Sequence, residues 1–415
     1  MPTGAMPTGS GPGALTLTLS SRRQRYALGG YFALNGLGFS CWVPRIPEIR
    51  NELGLGTGEL GAVLLCAALG SLLAMPATGA LVDRYGARTT TVAAAAVYTT
   101  VIAGIGAADD GPTLGLVLFL TGMSNGALDV SMNTLAQAHE RAAAQPMLAW
   151  LHGLFSLGTV AGAAVGTAAA ALGIPPGHQF FAVGCGGLLV ALALAPATPR
   201  HCPQPPSPAQ RHGQPAPNRS AGHPAWRPML PLGLMAFCVL VTEGAVADWT
   251  AVLLTDTAGA SPGAAASGYL AFTMTMTAGR LAGDRVMVRL GPIAVLRWGA
   301  ALTAAGLLAL IAVPAVPSAV AGCVLLGIGL SCLFPQLIRH VALTAGQAPG
   351  RAVSTVSTLG YLGFLVGPPL IGLVAEVVSL RAALAMLLLA PAAVLLLARY
   401  AGPSPGVAAS VCGAP

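Results

Sequence analysis

Three polar side chains stand four residues apart in a long apolar stretch, and they are the first candidates for chemistry. Asn125, Asp129 and Asn133 would share one helix face over about 12 Å, at 1.5 Å per residue. An ionisable group in such a stretch usually faces a cavity or a partner, because burying its charge is costly. The spacing therefore predicts proton binding or recognition of solute hydroxyls. A structural ladder of hydrogen bonds between helices is the alternative.

A second carboxylate, Glu243, lies in another apolar stretch. Asp248 follows five residues later, about 140° further around a helix, so the two cannot both point at one cavity. We expect Glu243 to be a proton-coupling residue together with Asp129, because such coupling needs a carboxylate that loads and unloads a proton. A static ion pair between Glu243 and an arginine is the alternative.

Four further residues are candidates for solute contact. His152 has Ser156 on its helical face and could bind solute or relay protons, or it could be a packing residue. Aromatic and amide groups suit stacking against sugar rings, and this adds Asn35, Trp42 and Tyr361. We find no H-E-x-x-H, no G-x-S-x-G and no clustered His or Cys, so we expect no enzyme activity, metal or cofactor.

The elements that carry these residues follow from composition. Of the 415 residues, 55% are apolar and only 8% are Asp, Glu, Lys or Arg, against about 25% charged residues in soluble domains. The mean hydropathy is +0.74. A soluble enzyme, a disordered regulator and a nucleic-acid binder are therefore improbable. The runs lack the alternation of a membrane barrel, which leaves helices.

Twelve apolar runs predict an all-α membrane protein with twelve transmembrane helices. They cover residues 26–44, 58–82, 89–107, 113–137, 147–171, 179–196, 229–254, 264–283, 291–312, 316–340, 349–375 and 380–399. The predicted organisation is a disordered N-terminus (1–25), a six-helix bundle (26–196), a Pro- and Arg-rich linker (197–228), a second six-helix bundle (229–400) and a disordered tail (401–415).

The arginines predict the orientation. All twenty basic residues are Arg, and with the N-terminus inside, only Arg45, Arg50 and Arg381 fall outside, which leaves seventeen at or near the cytoplasmic side. An even number of helices then places both termini in the cytoplasm. We expect Arg45 and Arg50 to be plain loop or headgroup charges.

The loops after the second and eighth runs contain similar residues. These are Gly79, Asp83, Arg84, Gly86 and Arg88 in the first loop, and Gly279, Asp284 and Arg285 in the second. Asp83 and Asp284 are predicted to occupy equivalent loops of two pseudo-symmetric halves. Such internal symmetry is typical of secondary transporters.

The first of these loops, Gly-x-x-x-Asp-Arg-x-Gly-x-Arg, resembles the signature loop of the major facilitator superfamily. The weaker second copy, the twelve-helix plan and the long linker extend the resemblance over almost the whole chain. It implies the fold of that family, a multi-pass protein of a bacterial-type cytoplasmic membrane, and a cytoplasmic gate latch made by the two loops. A tight turn with topogenic arginines is the alternative.

Two stretches resemble a narrower bacterial subgroup related to the fucose-permease branch. They are Asn35-Gly-Leu-Gly-Phe39 with Trp42-Val-Pro-Arg-Ile-Pro47, and Glu243-Gly-Ala-Val-Ala-Asp-Trp249. Drug/proton antiporters of the family carry an Arg inside the fourth helix and a Gly-Pro in the fifth. This chain has neither, which makes a multidrug exporter less favoured.

Together these patterns predict a secondary transporter that moves a small polar solute, a sugar or related metabolite, by alternating access with proton coupling. An efflux pump for drugs or metabolites is the alternative within the family. A membrane enzyme or a transport-inactive sensor is less favoured. We expect the chain to act as a monomer in the lipid bilayer, with solute and protons as partners and no nucleic acid.

Overall fold

The protein is described by a computed structural model that covers residues 12–143, 145–199, 226–344 and 349–401. These residues fold into helices and short connections, with no strand within the described ranges. The helices are α1 Pro12–Ser40, α2 Ile46–Glu52, α3 Thr57–Tyr85, α4 Ala87–Ala103, α5 Gly111–Ala143, α6 Leu148–Ala171, α7 Pro176–Leu194, α8 Trp226–Ala258, α9 Pro262–Leu290, α10 Pro292–Ala312, α11 Val316–Leu330, α12 Leu333–Thr344, α13 Pro349–Val377, α14 Leu380–Ala385 and α15 Leu389–Leu397.

Ten helical segments of the described chain are long and apolar enough to cross a membrane. The prediction of an all-α membrane protein is therefore confirmed. Helices α1 and α9 are 29 residues long each but fall outside this set of ten. Helix α9 carries Arg280, Asp284, Arg285 and Arg289, which lower its hydropathy. The count of twelve spans stays a prediction.

The N-terminal boundary differs from the prediction. Helix α1 begins at Pro12, inside the segment 1–25 for which the sequence predicts disorder. After Gly13 that segment contains no proline or glycine, so nothing in it stops the helix from extending beyond the apolar run. Most of the predicted linker (197–228) and of the predicted tail (401–415) lies outside the described residues.

Prolines account for the breaks in the helices. Helix α1 ends before Pro44 and Pro47, as their missing N–H groups predict. The run predicted at 316–340 is a continuous span in sequence but two helices in the structure, α11 and α12, with the break at Ser331. Pro335 explains this position, because its ring removes the hydrogen bond to the carbonyl of residue 331 and crowds that carbonyl.

Equivalent helix pairs pack closely in the two halves of the chain. In the first half α6 lies against α1, and a Cβ at Gly158 would stand 3.0 Å from Ala33 Cα. In the second half α13 lies against α8, and a Cβ at Gly363 would stand 2.6 Å from the Val241 nitrogen. Glycines spaced by three or four residues therefore allow close crossings at both pairs.

One turn recurs in both halves. Gly86 joins α3 to α4 with φ +83°, and Gly291 joins α9 to α10 with φ +76°. Each glycine N–H donates to the carbonyl four residues earlier and closes the preceding helix. We call the face of the molecule that carries these two turns the loop side, and the opposite face the far side.

Candidate functional site

The far side is closed by contacts between the two halves. A Cβ at Gly61 of α3 would stand 2.8 Å from the Pro368 carbonyl oxygen of α13, and the Gly372 Cβ would stand 2.5 Å from the Thr57 carbonyl oxygen. Arg50 forms an ion pair with Asp256 at 2.7 Å. Backbone thus meets backbone where α3 crosses α13, and a charged pair lies beside this crossing.

Further inter-half hydrogen bonds lie nearer the middle. Ser40 and Tyr269 hydroxyls are 3.1 Å apart, and Thr277 donates to the Ser156 carbonyl at 3.4 Å. No inter-half hydrogen bond or ion pair occurs at the loop-side helix ends that the structure describes. There, Gly79 and Gly153 have open space where a Cβ would project. Among the described residues, the two halves therefore meet on the far side and are open towards the loop side.

Five polar residues from both halves lie at a similar depth inside the molecule. Each lies about 22–28 Å from the far-side end of its own helix, counted at 1.5 Å per residue. The five residues are Asp129, His152, Glu243, Arg280 and Tyr361. The Tyr361 hydroxyl is within electrostatic range of Asp129, Glu243 and Arg280, and the His152 ring is within range of Arg280. The structure thus brings four of the predicted site residues together around one arginine.

The second half contributes one wall of the cavity, which combines an ion pair with aromatic rings. Arg280 Nη2 lies 3.3 Å from Glu243 Oε1, with both side chains partly exposed. Tyr361 is 54% exposed, which places its ring on the open cavity. Phe334 and Phe364 flank this ring, with centroids 6.2 and 6.3 Å away. This wall therefore offers an aromatic surface next to a charged pair.

The wall from the first half consists mainly of the predicted α5 stripe. Asp129 is half-buried, and its carboxylate accepts from Asn133 Nδ2 at 3.1 Å. No cation lies within ion-pair distance of Asp129 in the part of the chain that the structure describes. The Asn125 Oδ1 atom is buried and accepts no hydrogen bond from any described group. His152 is exposed and packs edge-on against Phe32, with centroids 5.4 Å apart.

Two predicted solute-contact residues lie elsewhere. Asn35 is 2% exposed and lies between α1 and α5, where its Nδ2 is 3.9 Å from the Met132 sulfur. Trp42 is half-buried and packs against the apolar cores of both halves, next to the closed far side. In this conformation Asn35 does not reach the open cavity, and Trp42 contributes to far-side packing.

The residues of the first signature loop divide into exposed and packed groups. Asp83 and Arg84 are exposed, and the Arg84 guanidinium lies 5.3 Å from the Tyr85 ring centroid. Arg88 instead donates to the carbonyls of Thr198 at 3.2 Å and Ala195 at 2.9 Å. A cation at the C-terminal end of α7 is favoured by the helix dipole. Arg88 therefore ties α4 to α7 within the first half.

In the second loop the aspartate lies further from the turn than in the first loop. Asp83 lies three residues before Gly86, but Asp284 lies seven residues before Gly291, inside α9. Both aspartates precede the connection between corresponding helices of the two halves, but Asp284 lies further from its turn, because α9 continues to Leu290. Asp284 and Arg285 are exposed, while Gly279 packs at the α11–α12 break, where Cys332 Sγ lies 3.6 Å from its carbonyl.

Sequence reasoning missed Arg280 as a site residue. We assigned it to the cytoplasmic loop with its neighbours, because the eighth run was expected to end at residue 283. Since α9 extends to Leu290, Arg280 lies about 15 Å inside the helix end. The turn signal Gly291-Pro292 marks that end in the sequence and could have located Arg280. No sequence signal of this kind indicates that Phe334 and Phe364 flank the site.

The cavity is lined by protein groups suited to a polar organic solute. Within the described ranges, no group of three or more His, Cys, Asp or Glu side chains is placed to hold a metal ion. The Asp129 carboxylate is an acceptor on one wall, and the guanidinium of Arg280 can donate from the opposite wall. Such a site can bind a small polar molecule.

Comparisons with known sequences point to one family. The family model described as Major Facilitator Superfamily matches residues 28–348 and 249–410. An uncharacterized MFS-type transporter of Yersinia pestis is 34% identical over 87% of this chain and 92% of its own length. Membrane protein MosC of Rhizobium meliloti is 33% identical over 85% of this chain and 84% of its own length.

Solved structures share the fold at low sequence identity. A mutant of the nucleoside transporter NupG superposes with a TM-score of 0.71 at 11% identity, over 91% of this chain and 98% of that one. A bacterial homolog of the human lysosomal transporter Spinster, in an inward-facing and unoccupied conformation, gives 0.70 at 17% identity, over 96% and 100%. These likenesses concern the fold alone.

Proposed function

Because the chain belongs to the Major Facilitator Superfamily of membrane transporters, we propose that it is a secondary active transporter of a small polar solute. The solute is a sugar or related metabolite, moved by alternating access with proton coupling. One observation carries this proposal: polar residues from both halves face a cavity that opens on the loop side, while the far side is closed by inter-half contacts. Alternating access requires this arrangement.

We place the loop side in the cytoplasm, with both termini. The excess of arginines predicted for that side supports this orientation, and the conformation is then inward-facing. Both walls of the cavity come from one chain, which supports a monomer as the working unit. We infer transport and not catalysis, because the cavity presents binding groups from two mobile halves.

The solute class follows from what the cavity offers. The Tyr361 ring with its phenylalanine neighbours suits the apolar face of a ring-shaped solute. The half-buried Asp129 carboxylate can accept a hydrogen bond from a hydroxyl, and Arg280 can donate one from the opposite wall. A ring that carries hydroxyl groups matches both features. Replacing Tyr361 by Ala should therefore weaken solute binding more than replacing exposed Tyr400.

The coupling mechanism rests on two carboxylates in different settings. Glu243 pairs with Arg280, while Asp129 has only Asn133 as a described side-chain partner. A proton that binds Glu243 would weaken its hold on Arg280, and a proton that binds Asp129 would remove an unpaired charge from the cavity. Either event changes the charge of the cavity, which is what couples proton movement to solute movement.

The test is transport by the purified protein in vesicles. A thermal-shift screen of sugars and polar metabolites identifies the solute, and accumulation is then driven by an imposed pH gradient. We expect Asp129→Asn and Glu243→Gln to lose driven accumulation but keep solute exchange. Asp109→Asn, which neutralises an exposed loop carboxylate, is the matched control. If both cavity variants accumulate solute like the unmodified protein, proton coupling at these residues is refuted.

A double variant separates a working ion pair from a static one. Removing Glu243 alone leaves Arg280 uncompensated, which could disturb the fold instead of the mechanism. Glu243→Gln with Arg280→Gln removes both charges and should restore thermal stability. If the pair is only structural, driven accumulation returns as well; if it couples protons, accumulation stays lost while stability recovers.

A further inference from the structure

A groove of about 630 Å³ opens on the second half, where α9 turns into α10. Ala294, Arg297, Trp298 and Ala301 are spaced to share one face of α10 and form one wall. Leu290, Pro292 and Leu395 also line the groove. None of these residues belongs to the central cavity, so the groove is a separate feature.

The groove combines apolar walls with an interfacial aromatic ring. Trp298 is 64% exposed, Leu290 is 51% exposed, and Leu395 of α15 is 38% exposed. Since α10 spans the membrane, these surfaces lie against lipid near the loop-side interface. Tryptophan is enriched at that depth, because its ring is apolar and its N–H needs a polar partner. An acyl chain fits these walls better than water does.

Basic residues surround the polar end of the groove. Arg297 lies in its lining, about 7.5 Å along α10 from Pro292. Arg289 directly precedes the groove residue Leu290, and Arg399 follows Leu395 by four residues, on the same face of the C-terminal helical segment. All three arginines are exposed, and none forms an ion pair within the described part of the chain.

We propose that this groove binds an anionic phospholipid, with an acyl chain along the Trp298 wall and the phosphate between Arg297 and Arg399. Charge complementarity supports this occupant, because unpaired arginines lie beside an apolar surface at the membrane interface. The N-terminus of α10 adds its positive dipole end to the same place. A zwitterionic lipid can fill the apolar walls but gains less from the arginines.

Trp298 itself is the probe for this proposal. The full-length protein is reconstituted in phosphatidylcholine vesicles in which a growing fraction of lipid is replaced by brominated phosphatidylglycerol or by brominated phosphatidylcholine. Bromine quenches tryptophan only at close range. The difference in fluorescence between the unmodified protein and Trp298→Phe isolates the Trp298 signal. We expect the anionic lipid to quench Trp298 at a lower fraction than the zwitterionic lipid.

Charge removal tests the role of the arginines. One arginine near the membrane surface contributes about 1 kcal/mol, so each of Arg297→Gln and Arg399→Gln should reduce the preference for phosphatidylglycerol about fivefold. Arg351→Gln removes an exposed charge at the start of α13, away from the groove, and should leave the preference unchanged. Because exposed arginines are replaced, the fold should persist, which circular dichroism checks.

Three results would overturn the proposal. Equal quenching of Trp298 by the two brominated lipids would mean that the groove does not select negative charge. Weak quenching by both lipids would mean that something other than lipid, such as a segment of this chain, fills it. A preference that survives replacement of both Arg297 and Arg399 would also assign the selectivity to another part of the molecule.

Discussion

The crossing of α3 and α13 on the far side gives a sharp test of alternating access. A Cβ added at Gly61 would stand 2.8 Å from the Pro368 carbonyl oxygen, 3.2 Å from Pro369 Cα and 3.3 Å from Gly372 Cα. All three are backbone atoms, so no side chain can rotate away to make room. Gly61→Ala therefore forces the two helices apart wherever the far side is closed.

The size of the effect follows from packing. Inserting a methyl group into a well-packed contact costs about 1–3 kcal/mol. Alanine also raises helix propensity, but that gain applies to both conformations and cancels from their equilibrium. The far-side-closed state should therefore lose population relative to the far-side-open state by a factor of about 5 to 150. Gly372→Ala should act similarly, because its Cβ would approach the Thr57 carbonyl oxygen at 2.5 Å.

The assay is a distance measurement across the far side. Spin labels are attached at Asn51 and Val378, in a variant that lacks the native cysteines. Both positions are exposed and they belong to different halves, so the distance between the labels reports how far the halves are separated on the far side. We expect a short distance to dominate in the parent protein and a longer one to grow in Gly61→Ala. Gly186→Ala is the control, because a Cβ there meets nothing within 4 Å. If Gly61→Ala leaves the short distance dominant, the assignment of this crossing as a closure contact is refuted.

Replacing any of three arginines should change either the conformational equilibrium or the stability, by amounts that depend on how buried the arginine is. Arg50→Gln should shift the same distance distribution less than Gly61→Ala, by about 0.2–1 kcal/mol, and exchanging the charges of Arg50 and Asp256 should reverse the shift. Arg88→Gln should lower the free energy of unfolding by about 1–3 kcal/mol through loss of two carbonyl contacts, whereas Arg84→Gln should not. Arg45→Gln should destabilise by about 3–5 kcal/mol in chemical denaturation, because Arg45 is 1% exposed.

Arg45 illustrates where sequence reasoning fails. The sequence predicts a plain loop charge after the first helix. The structure buries this guanidinium, which donates to Gln179 at 3.0 Å and to the Ile174 carbonyl at 2.6 Å, and pairs with Glu48. Burial raises the pKa of Glu48, while Arg45 opposes that shift. The positive-inside rule uses only the loop in which an arginine lies. It does not indicate whether other parts of the chain bury that loop.

The helices themselves were predictable because two strong signals define them. Apolar runs indicate their approximate extent, and residues such as Gly86 or Pro44 mark their ends. The α5 stripe was predictable for the same reason, since spacing on one helix requires no tertiary information. The Glu243–Arg280 pair joins α8 to α9 and depends on how two helices are rotated against each other. Spacing along the chain cannot supply that rotation.

The placement of the charges bears on how coupling could work. Glu243 and Arg280 belong to the same half, so a rocking motion of whole halves would leave their 3.3 Å contact intact. Asp129 belongs to the other half, and its distance from Arg280 and Tyr361 would change whenever the halves move. The pair alone therefore cannot sense conformation, whereas Asp129 opposite Arg280 can. Under the proposed coupling, protonation of Glu243 weakens its ion pair with Arg280. Arg280 can then attract the Asp129 carboxylate of the other half, which draws the two halves together.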